Sequence, residues 1–530
     1  EDLADASHLE LVDGQHFDRA RFLVWSGGQT RGFVECATVE GQIDVDDLAV
    51  SVAELPEVEP RQSGWPLPPM TVAVCTRDRP DQLREVLRGL IELDYPHFEV
   101  LVVDNHVESG SAAAVVDEFE STNGVAVRVV GAVGKGLSIA RNVAIQHARY
   151  ERIAFTDDDV IVDALWLQNL AYGFGRDERV VCVCGAVPSA ELQSKAQLYF
   201  DRRVAWARCF DPVAYDLERP PADDRLFPMH VAQFGTGANF AAKRSTLIEL
   251  GGFDEGLGIG SPTGGGEDID MFVRIVLAGH LLVRVPSAVV WHRHRRTAQD
   301  LDVQVYNYGL GLGAWIANLA TRPRTFGMAA RRLIPAVKHL RAVTTVENET
   351  SGPVDPEMEA LYGRELQGVL RGAFALLRSR FEGRRATPLK APSSKLGRLF
   401  GAGIAQNWGD PGNSILAHRL CTLAVVIAML GSLGVFPWLP TPISASVVGA
   451  FTLGGPGCLV MSWYSRLPVS ILLPLVPAVS LAVCIVAVSG LLMLGFYVPT
   501  AVLGVLTLST AIGGLVRRIY LSRRAETDSI

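Results

Sequence analysis

Charge is what the C-terminal part of this chain lacks. Between Leu420 and Val516 the sequence holds a single charged side chain, Arg466, and so uniform a lack of charge excludes an ordinary soluble domain there. The chain also lacks any Cys-x-x-Cys pair among its 8 cysteines, which argues against zinc and disulfides and fits a reducing compartment. Basic residues are scarce at the start: from Glu1 to Pro60 only Arg19, Arg21 and Arg31 oppose many carboxylates. Glu1–Val12 is acidic and has no apolar core, so nothing there resembles a secretory signal. Two phosphate-binding signatures are missing as well. The segment Cys75-Thr76-Arg77-Asp78-Arg79-Pro80 is no GxGxxG, and Gly131-Ala132-Val133-Gly134-Lys135-Gly136 has the wrong spacing for a Walker loop and no hydroxyl after the lysine.

The uncharged stretch reads as four membrane spans, about Leu420–Phe436, Ile443–Met461, Ile471–Gly495 and Thr500–Val516, each near the length that crosses roughly 30 Å of hydrocarbon. Lys390, Lys395, Arg398 and Arg419 precede the first span, Arg466 sits in the second loop, and Arg517, Arg518, Arg523 and Arg524 follow the last. By the positive-inside rule both ends of this unit, and the soluble region before it, face the cytoplasm. The segment Arg322–Arg398 is basic and reads as helical, with Arg331, Arg332, Lys338, Arg341, Arg371, Arg378, Arg380, Arg384 and Arg385. It is expected to be a juxtamembrane platform attracted to anionic lipids, the alternative being a solvated helical linker. Nucleic acid is not an expected partner, because the rest of the soluble region is acidic.

Ahead of these regions, Arg21–Trp25, a Ser-Gly-Gly-Gln turn and Gly32–Val39 predict a hairpin, followed by a helix over Val45–Leu55 and a Pro-rich linker over Pro56–Pro69. From Met70 apolar runs alternate with amphipathic stretches. Strands are expected at Thr71–Cys75, Phe98–Val103, Val125–Val130 and Arg152–Thr156, with helices at Gln82–Leu93, Ala112–Phe119 and Ser138–Ala148. This alternation predicts a parallel α/β sheet with its ligand site at the C-terminal strand ends. At one of those ends stand Asp157, Asp158 and Asp159. At about 4 Å and an effective dielectric of about 20, each like-charge pair costs on the order of 4 kcal/mol, so a partly buried triplet calls for a cation or raised pKa values. Carboxylates of this kind suit Mg2+ or Mn2+, which keep substrate phosphates as further ligands; the bland alternative is a solvated acidic turn.

Four motifs precede and include this triplet in order: Thr76-Arg77-Asp78-Arg79-Pro80, Val103-Asp104-Asn105, Gly134-Lys135-Gly136-Leu137-Ser138-Ile139-Ala140-Arg141-Asn142, and Thr156-Asp157-Asp158-Asp159. Farther on come Gly264-Gly265-Gly266-Glu267-Asp268 and the pair Trp291-His292. The series, over roughly Pro69 to Arg296, resembles the family-2 inverting glycosyltransferases of the GT-A fold. The resemblance implies a membrane-anchored, non-processive enzyme whose Rossmann-like, mostly parallel sheet domain occupies residues 66–300. An acidic β-hairpin/α appendage (1–60) precedes it; a helical basic juxtamembrane region (301–418) and four transmembrane helices (419–522) follow.

By the same resemblance Asp104 contacts the base or ribose, Thr76 and Arg77 flank that pocket, and Lys135 and Arg141 lie near the nucleotide or diphosphate. Asp159 is the preferred metal ligand, with Asp157 and His292 completing the Mn2+ or Mg2+ site and Asp158 on the ribose or diphosphate. Asn239, in Gly235-Thr236-Gly237-Ala238-Asn239-Phe240, falls near the donor sugar. Asp268 is the base that deprotonates the acceptor hydroxyl, and Glu267 orients it. Read from the residues alone, alternatives stand beside these roles. Lys135 and Arg141 fit a salt-bridged helix start, Asp104 an Asx turn, His292 a structural strand end, Asn239 a turn, and Glu267 with Asp268 the dipole of a helix beginning near Ile269.

Neither Gln299-Asp300-Leu301-Asp302-Val303 nor Gln304-Val305-Tyr306-Asn307-Tyr308 matches the Gln-x-x-Arg-Trp motif of processive relatives, so single transfer is expected. The expected activity is transfer from a nucleotide-diphosphate sugar to a lipid-linked glycan or lipid acceptor on the cytoplasmic face of the cell membrane, in cell-envelope glycan assembly. The competing readings are a polyprenyl-phosphate sugar synthase and a catalytically silent membrane scaffold.

Overall fold

The structure, a computed structural model, describes residues 9–10, 17–59, 61, 64–119, 124–204, 209–222, 224–230, 233–320, 325, 356–382, 413–435, 440–464, 469–493 and 498–527. Two compact units emerge, Glu1–Ala317 with Arg331–Gly403, and Asn318–Ala330 with Ile404–Ile530.

The first unit contains the expected hairpin, β1 (Arg19–Ser26) and β2 (Gln29–Ala37); β1 is longer at both ends than the apolar pattern suggests, while β2 both starts and stops earlier than Gly32–Val39. Alternation along β2 sends Val34 and Cys36 inward onto Leu48 of helix α1 (Val45–Ala53). Thr30 donates its backbone N–H to Ser287 Oγ at 3.0 Å, which ties the hairpin to the main sheet.

The main domain follows the predicted alternation: β3 (Met70–Thr76), α2 (Pro80–Ile91), β4 (Phe98–Asp104), α3 (Ser111–Asp117), β5 (Ala126–Gly131), α4 (Leu137–His147) and β6 (Arg152–Thr156). Next come β7 (Val160–Val162), α5 (Trp166–Gly175), β8 (Val180–Ala186), α6 (Lys195–Arg203), β9 (Val213–Tyr215), β10 (Asn239–Lys243), α7 (Arg244–Glu249), α8 (Glu267–Leu277) and β11 (Leu281–His292). The nine-stranded sheet runs β9-β11-β8-β10-β6-β3-β4-β5, with β7 on β11. Strands β5, β4, β3 and β6 are mutually parallel, and the continuous apolar runs of β3, β4 and β6, buried on both faces, are what such a sheet demands, while β5 forms the more open edge. The other half is mixed, because β10 runs antiparallel to both β6 and β8. Two long helices, α9 (Ala298–Ala320) and α10 (Pro356–Phe381), follow.

The second unit contains α11 (Asn413–Ser432), α12 (Thr441–Met461), α13 (Val469–Met493) and α14 (Pro499–Thr527). Among the described residues two stretches are long and apolar enough to cross a membrane, Thr441–Tyr464 and Pro499–Ile519. The other two expected spans correspond to shorter apolar stretches, Arg419–Ser432 and Leu475–Ser489. Close backbone approach helps these helices pack: a Cβ at Gly457 would lie 2.0 Å from the Val476 carbonyl oxygen. Of the cations expected to set orientation or lipid attraction, Arg331, Arg332, Lys338, Arg341, Arg384, Arg385, Lys390, Lys395, Arg398 and Arg466 lie outside the described residues.

Candidate active site

Sheet register gathers the motifs at one edge. Thr76, Asp104 and Thr156 end three parallel strands, so the segments that follow them emerge side by side. The next strand, β10, starts opposite Thr156 at Asn239, which brings Gly237 and Ala238 to the same edge. His292 is placed by a different pairing. Immediately after the triplet, Val160 of β7 pairs with His292 of β11, and Arg293 N–H donates to the Asp159 carbonyl at 3.3 Å.

Asp157, Asp159 and His292 therefore converge, each offering one ligand atom within 4.8 Å of the others. His292 Nε2 lies 3.3 Å from Asp159 Oδ1, and its buried Nδ1 has no hydrogen-bond partner among the described residues. Burial, with Asp159 adding to it against the pull of Arg141, raises the Asp157 carboxyl to about 6. Two carboxylates that repel each other, with an imidazole beside them, suit Mn2+ or Mg2+, so these residues could hold such an ion. His294 stacks on His292 with centroids 4.8 Å apart, and burial pushes its pKa down to about 3, which keeps this backing ring neutral.

Asp158 points away from this group. Its Oδ2 accepts from Thr76 Oγ1 at 2.7 Å and its Oδ1 from Arg79 at 2.9 Å, while the same Arg79 nitrogen lies 3.1 Å from Asp159 Oδ2. Burial raises the pKa of Asp158, opposed by Arg79. Arg79 thus ties two of the three carboxylates together, a role the sequence reading did not give it. The available signal was its position in the first motif, directly ahead of Pro80, which opens α2.

Asp104 makes an Asx turn, its Oδ1 accepting from His106 N–H at 2.8 Å, and it remains buried at the strand end. Its neighbour Asn105, also not foreseen, fastens the lysine motif. The Asn105 amide donates to Gly134 O at 2.6 Å and accepts from Gly136 N–H at 2.8 Å, leaving Lys135 exposed at the rim. Arg77 donates to the Asn105 carbonyl and so closes the same turn.

Two of the expected positions, Arg141 and Asn239, are engaged by neighbouring groups of the fold. Arg141 is buried between Asp157 and Glu267. It is 2% exposed, donates to Glu267 Oε1 at 2.9 Å and to Gly237 O at 3.0 Å, lies 3.7 Å from Asp157, and packs over Phe253 and Phe240. Burial alone would lower its pKa, yet Glu267, Asp157 and Asp268 together hold it above the ordinary arginine value. Asn239 is fully buried and does not line the site. Its amide donates to Ala186 O and Ala288 O at 2.8 and 2.7 Å and accepts from Trp166 Nε1 at 2.8 Å, so both its donors are spent inside the fold.

Helix α8 begins two residues earlier than the sequence pattern suggests, at Glu267, after Gly266 with φ 93°. That left-handed conformation at the N-cap is one that glycine tolerates best. Glu267 is 4% exposed, and burial followed by the charge of Asp268, against the opposing Arg141, raises it to about 7. Asp268 is more open. Its Oδ2 accepts from Gly237 N–H at 2.7 Å and its Oδ1 from Ile269 N–H at 2.8 Å. A side chain at Gly237 would collide, since a Cβ there would sit 2.6 Å from Arg141 and 3.1 Å from Asp268 Oδ2.

Residues 71–251 match the family model for glycosyl transferase family 2. The chain carries a glycosyltransferase family 2 domain. The parallel half of the sheet and the Asp157–Asp159 end lie within the matched residues, a GT-A-like α/β domain, whereas Glu267, Asp268 and His292 lie beyond them. A pre-mycofactocin glycosyltransferase of Mycobacterium tuberculosis is 26% identical over 242 residues, covering 45% of this chain and 46% of that protein. A glucosyl-dolichyl phosphate glucuronosyltransferase of Haloferax volcanii is 24% identical over 194 residues, 36% of this chain and 57% of that protein. The chain spans about half the length of these curated relatives. A solved mannosyltransferase from Pyrobaculum calidifontis, in complex with GDP-Man and Mn2+, overlaps 57% of this chain and 87% of that one at 18% identity and a TM-score of 0.37, too loose an overlap to bear on chemistry.

Proposed function

We propose that this chain is a metal-dependent, inverting glycosyltransferase that moves a sugar from a nucleotide-diphosphate donor to a lipid-linked glycan or lipid acceptor. The observation that carries this reading is the meeting of Asp157, Asp159 and His292 with Glu267 and Asp268 at one sheet edge of a glycosyltransferase family 2 domain. Asp157, Asp159 and His292 would hold Mn2+ or Mg2+, which when bound supplies positive charge against a departing diphosphate. Asp268 takes the proton of the acceptor hydroxyl, and its two backbone donors fix the carboxylate's direction. Glu267, gripped by Arg141, sets the start of α8 and orients the acceptor. Asp104 and the turn held by Asn105 receive the nucleoside, and Lys135 at the rim adds a cation for the diphosphate. The acceptor oxygen attacks opposite the leaving diphosphate, so the new glycosidic bond forms as the bond to the diphosphate breaks, one displacement with inversion.

Four membrane spans with a cytoplasmic catalytic domain in the cell membrane complete the reading, supported by the two long apolar helices. The described part of the basic region adds to it. On α10, Leu366, Leu370 and Phe374 stand 43%, 71% and 74% exposed at helical spacing, beside exposed Arg371 and Arg378, which is the composition of an interfacial helix. A silent scaffold is disfavoured by the complete set of acids, and a polyprenyl-phosphate sugar synthase would be distinguished by its acceptor.

The test is a panel of nucleotide sugars screened for manganese-dependent binding and hydrolysis by the full chain. At least one donor is expected to be bound and slowly hydrolysed with Mn2+, and Asp159→Asn to abolish both. Absence of any manganese-dependent nucleoside diphosphate binding would sink the enzyme reading.

A further inference from the structure

The family match ends at residue 251, yet the loop that delivers Glu267 is gripped from much farther along the chain. That loop, residues 254–266, bridges the two halves of the site. At its middle, Leu137 N–H donates to Ile259 O at 2.9 Å and Ser138 Oγ to Leu257 O at 2.7 Å, which seats it on the start of α4 just after the Lys135 turn. Its far end runs through Gly264–Gly266 into Glu267 and Asp268.

Each end of the loop meets a helix that lies outside the family match. Gly265 and Gly266 lie against α9 so closely that a Cβ on Gly311 would sit 2.7 Å from the Gly265 carbonyl carbon. Helix α9 is in turn held by α10 through backbone contact: a Cβ on Gly309 or Gly313 would lie 2.1 Å from a carbonyl oxygen of α10. At the loop's start, Arg380 of α10 makes a bidentate pair with Asp254, Nη1 to Oδ1 and Nη2 to Oδ2, both 2.5 Å, across 126 positions. The pair is buried, Arg380 being 7% and Asp254 2% exposed. Beside it Gly256 leaves room for the guanidinium, since a Cβ there would lie 2.3 Å from Nη1.

A buried two-point ion pair fixes direction as well as distance, which a lysine at the same place cannot reproduce. We propose that Arg380 is a positioning residue for the nucleotide site: by fixing Asp254 it sets the loop 254–266 against the Lys135 turn at one point and against the Glu267–Asp268 pair at the other. This inference rests on the transferase reading above. It gives α9 and α10 a part in substrate binding that the matched segment alone does not contain.

The experiment compares the full chain in detergent with Arg380→Gln and Arg380→Lys, measuring three quantities: the melting temperature, Mn2+ binding alone, and UDP or GDP binding at saturating Mn2+. Arg380→Gln is expected to leave Mn2+ affinity within about twofold, because sheet pairing at the ends of β6 and β11 places Asp157, Asp159 and His292, and to weaken nucleoside diphosphate binding about tenfold. Arg380→Lys should fall between. A merely structural role would lower the melting temperature and the fraction of competent chains while leaving the affinity of those chains unchanged, and that result overturns the proposal. If Arg380→Gln does not fold, Asp254→Asn combined with Arg380→Gln removes both buried charges together, and the same affinity ratio decides. Wild-type protein that binds Mn2+ but neither UDP nor GDP would overturn the transferase reading itself, and the role of Arg380 with it.

Discussion

The two ends of the active site satisfy their charges in opposite ways. At the Arg141 end the protein supplies the counter-charge: one buried guanidinium, packed over the rings of Phe253 and Phe240, holds Glu267 and the Gly237 carbonyl. At the Asp159 end Asp157, Asp159 and His292 crowd together, Arg79 reaches Asp158 and Asp159 from one side, and Arg141 comes no closer to Asp157 than 3.7 Å. Folding answers the charge at the first end; under the proposed function a cation answers it at the second. That difference separates what should respond to metal from what should not.

Substitutions at each end sharpen the contrast. The largest effect is expected for Asp268→Asn, which should cut transfer to an acceptor by about 10²–10⁴-fold, with Mn2+ binding by calorimetry unchanged. Next, Arg141→Met should cost about 3–5 kcal/mol of stability by leaving Glu267 buried without its cation. Glu267 already sits at about 7, so protonation relieves the variant in acid, and the deficit in chemical denaturation should be greater at pH 8 than at pH 5. If Asp159→Asn lowers stability as Arg141→Met does, the contrast between the ends is wrong. It is expected instead to leave stability intact and weaken Mn2+ binding about 10–100-fold.

A smaller effect comes from pH. Asp157 is raised to about 6 in the metal-free site, so its proton must leave before it can ligate. Mn2+ affinity should be flat above pH 6 and fall by up to about tenfold per unit below it, measured by calorimetry across pH 4.5–7.5. For folding without metal the sign reverses. A raised carboxyl pKa favours the fold at low pH, and this contribution is lost as pH rises from the ordinary aspartate value through about 6. The smallest expected change is Lys135→Met, about 0.2–1 kcal/mol in nucleoside diphosphate affinity, because the lysine is exposed and screened.

The strand-helix alternation from Met70 to Thr156 was legible because buried parallel strands need continuous apolar runs, and element ends fell within a few residues of the pattern. The acidic triplet and His292 were legible as candidates too, since motif order survives in a linear chain. Three features were not. Asn239 looked like a ligand contact because a Gly-rich turn precedes it, but only the antiparallel entry of β10 shows its amide spent on Ala186, Ala288 and Trp166. That Arg141 meets Glu267, 126 positions away, is something helix periodicity cannot say. Arg79 was passed over because its meaning depends on two carboxylates from another strand. Membrane length was legible in composition, with two of the four expected stretches reaching spanning length among the described residues.

By itself the sequence determined the α/β alternation, the strand-end acids, the apolar C-terminal stretch and a resemblance to family-2 glycosyltransferases, because periodicity, charge and motif order are properties of neighbours along a chain. Tertiary structure decided which charges meet: His292 reaches Asp159 only through the pairing of β7 with β11, and Arg380 reaches Asp254 only because glycines let α9 and α10 touch. Such pairings depend on distance in space, and strand register and backbone approach set that distance after the chain has folded.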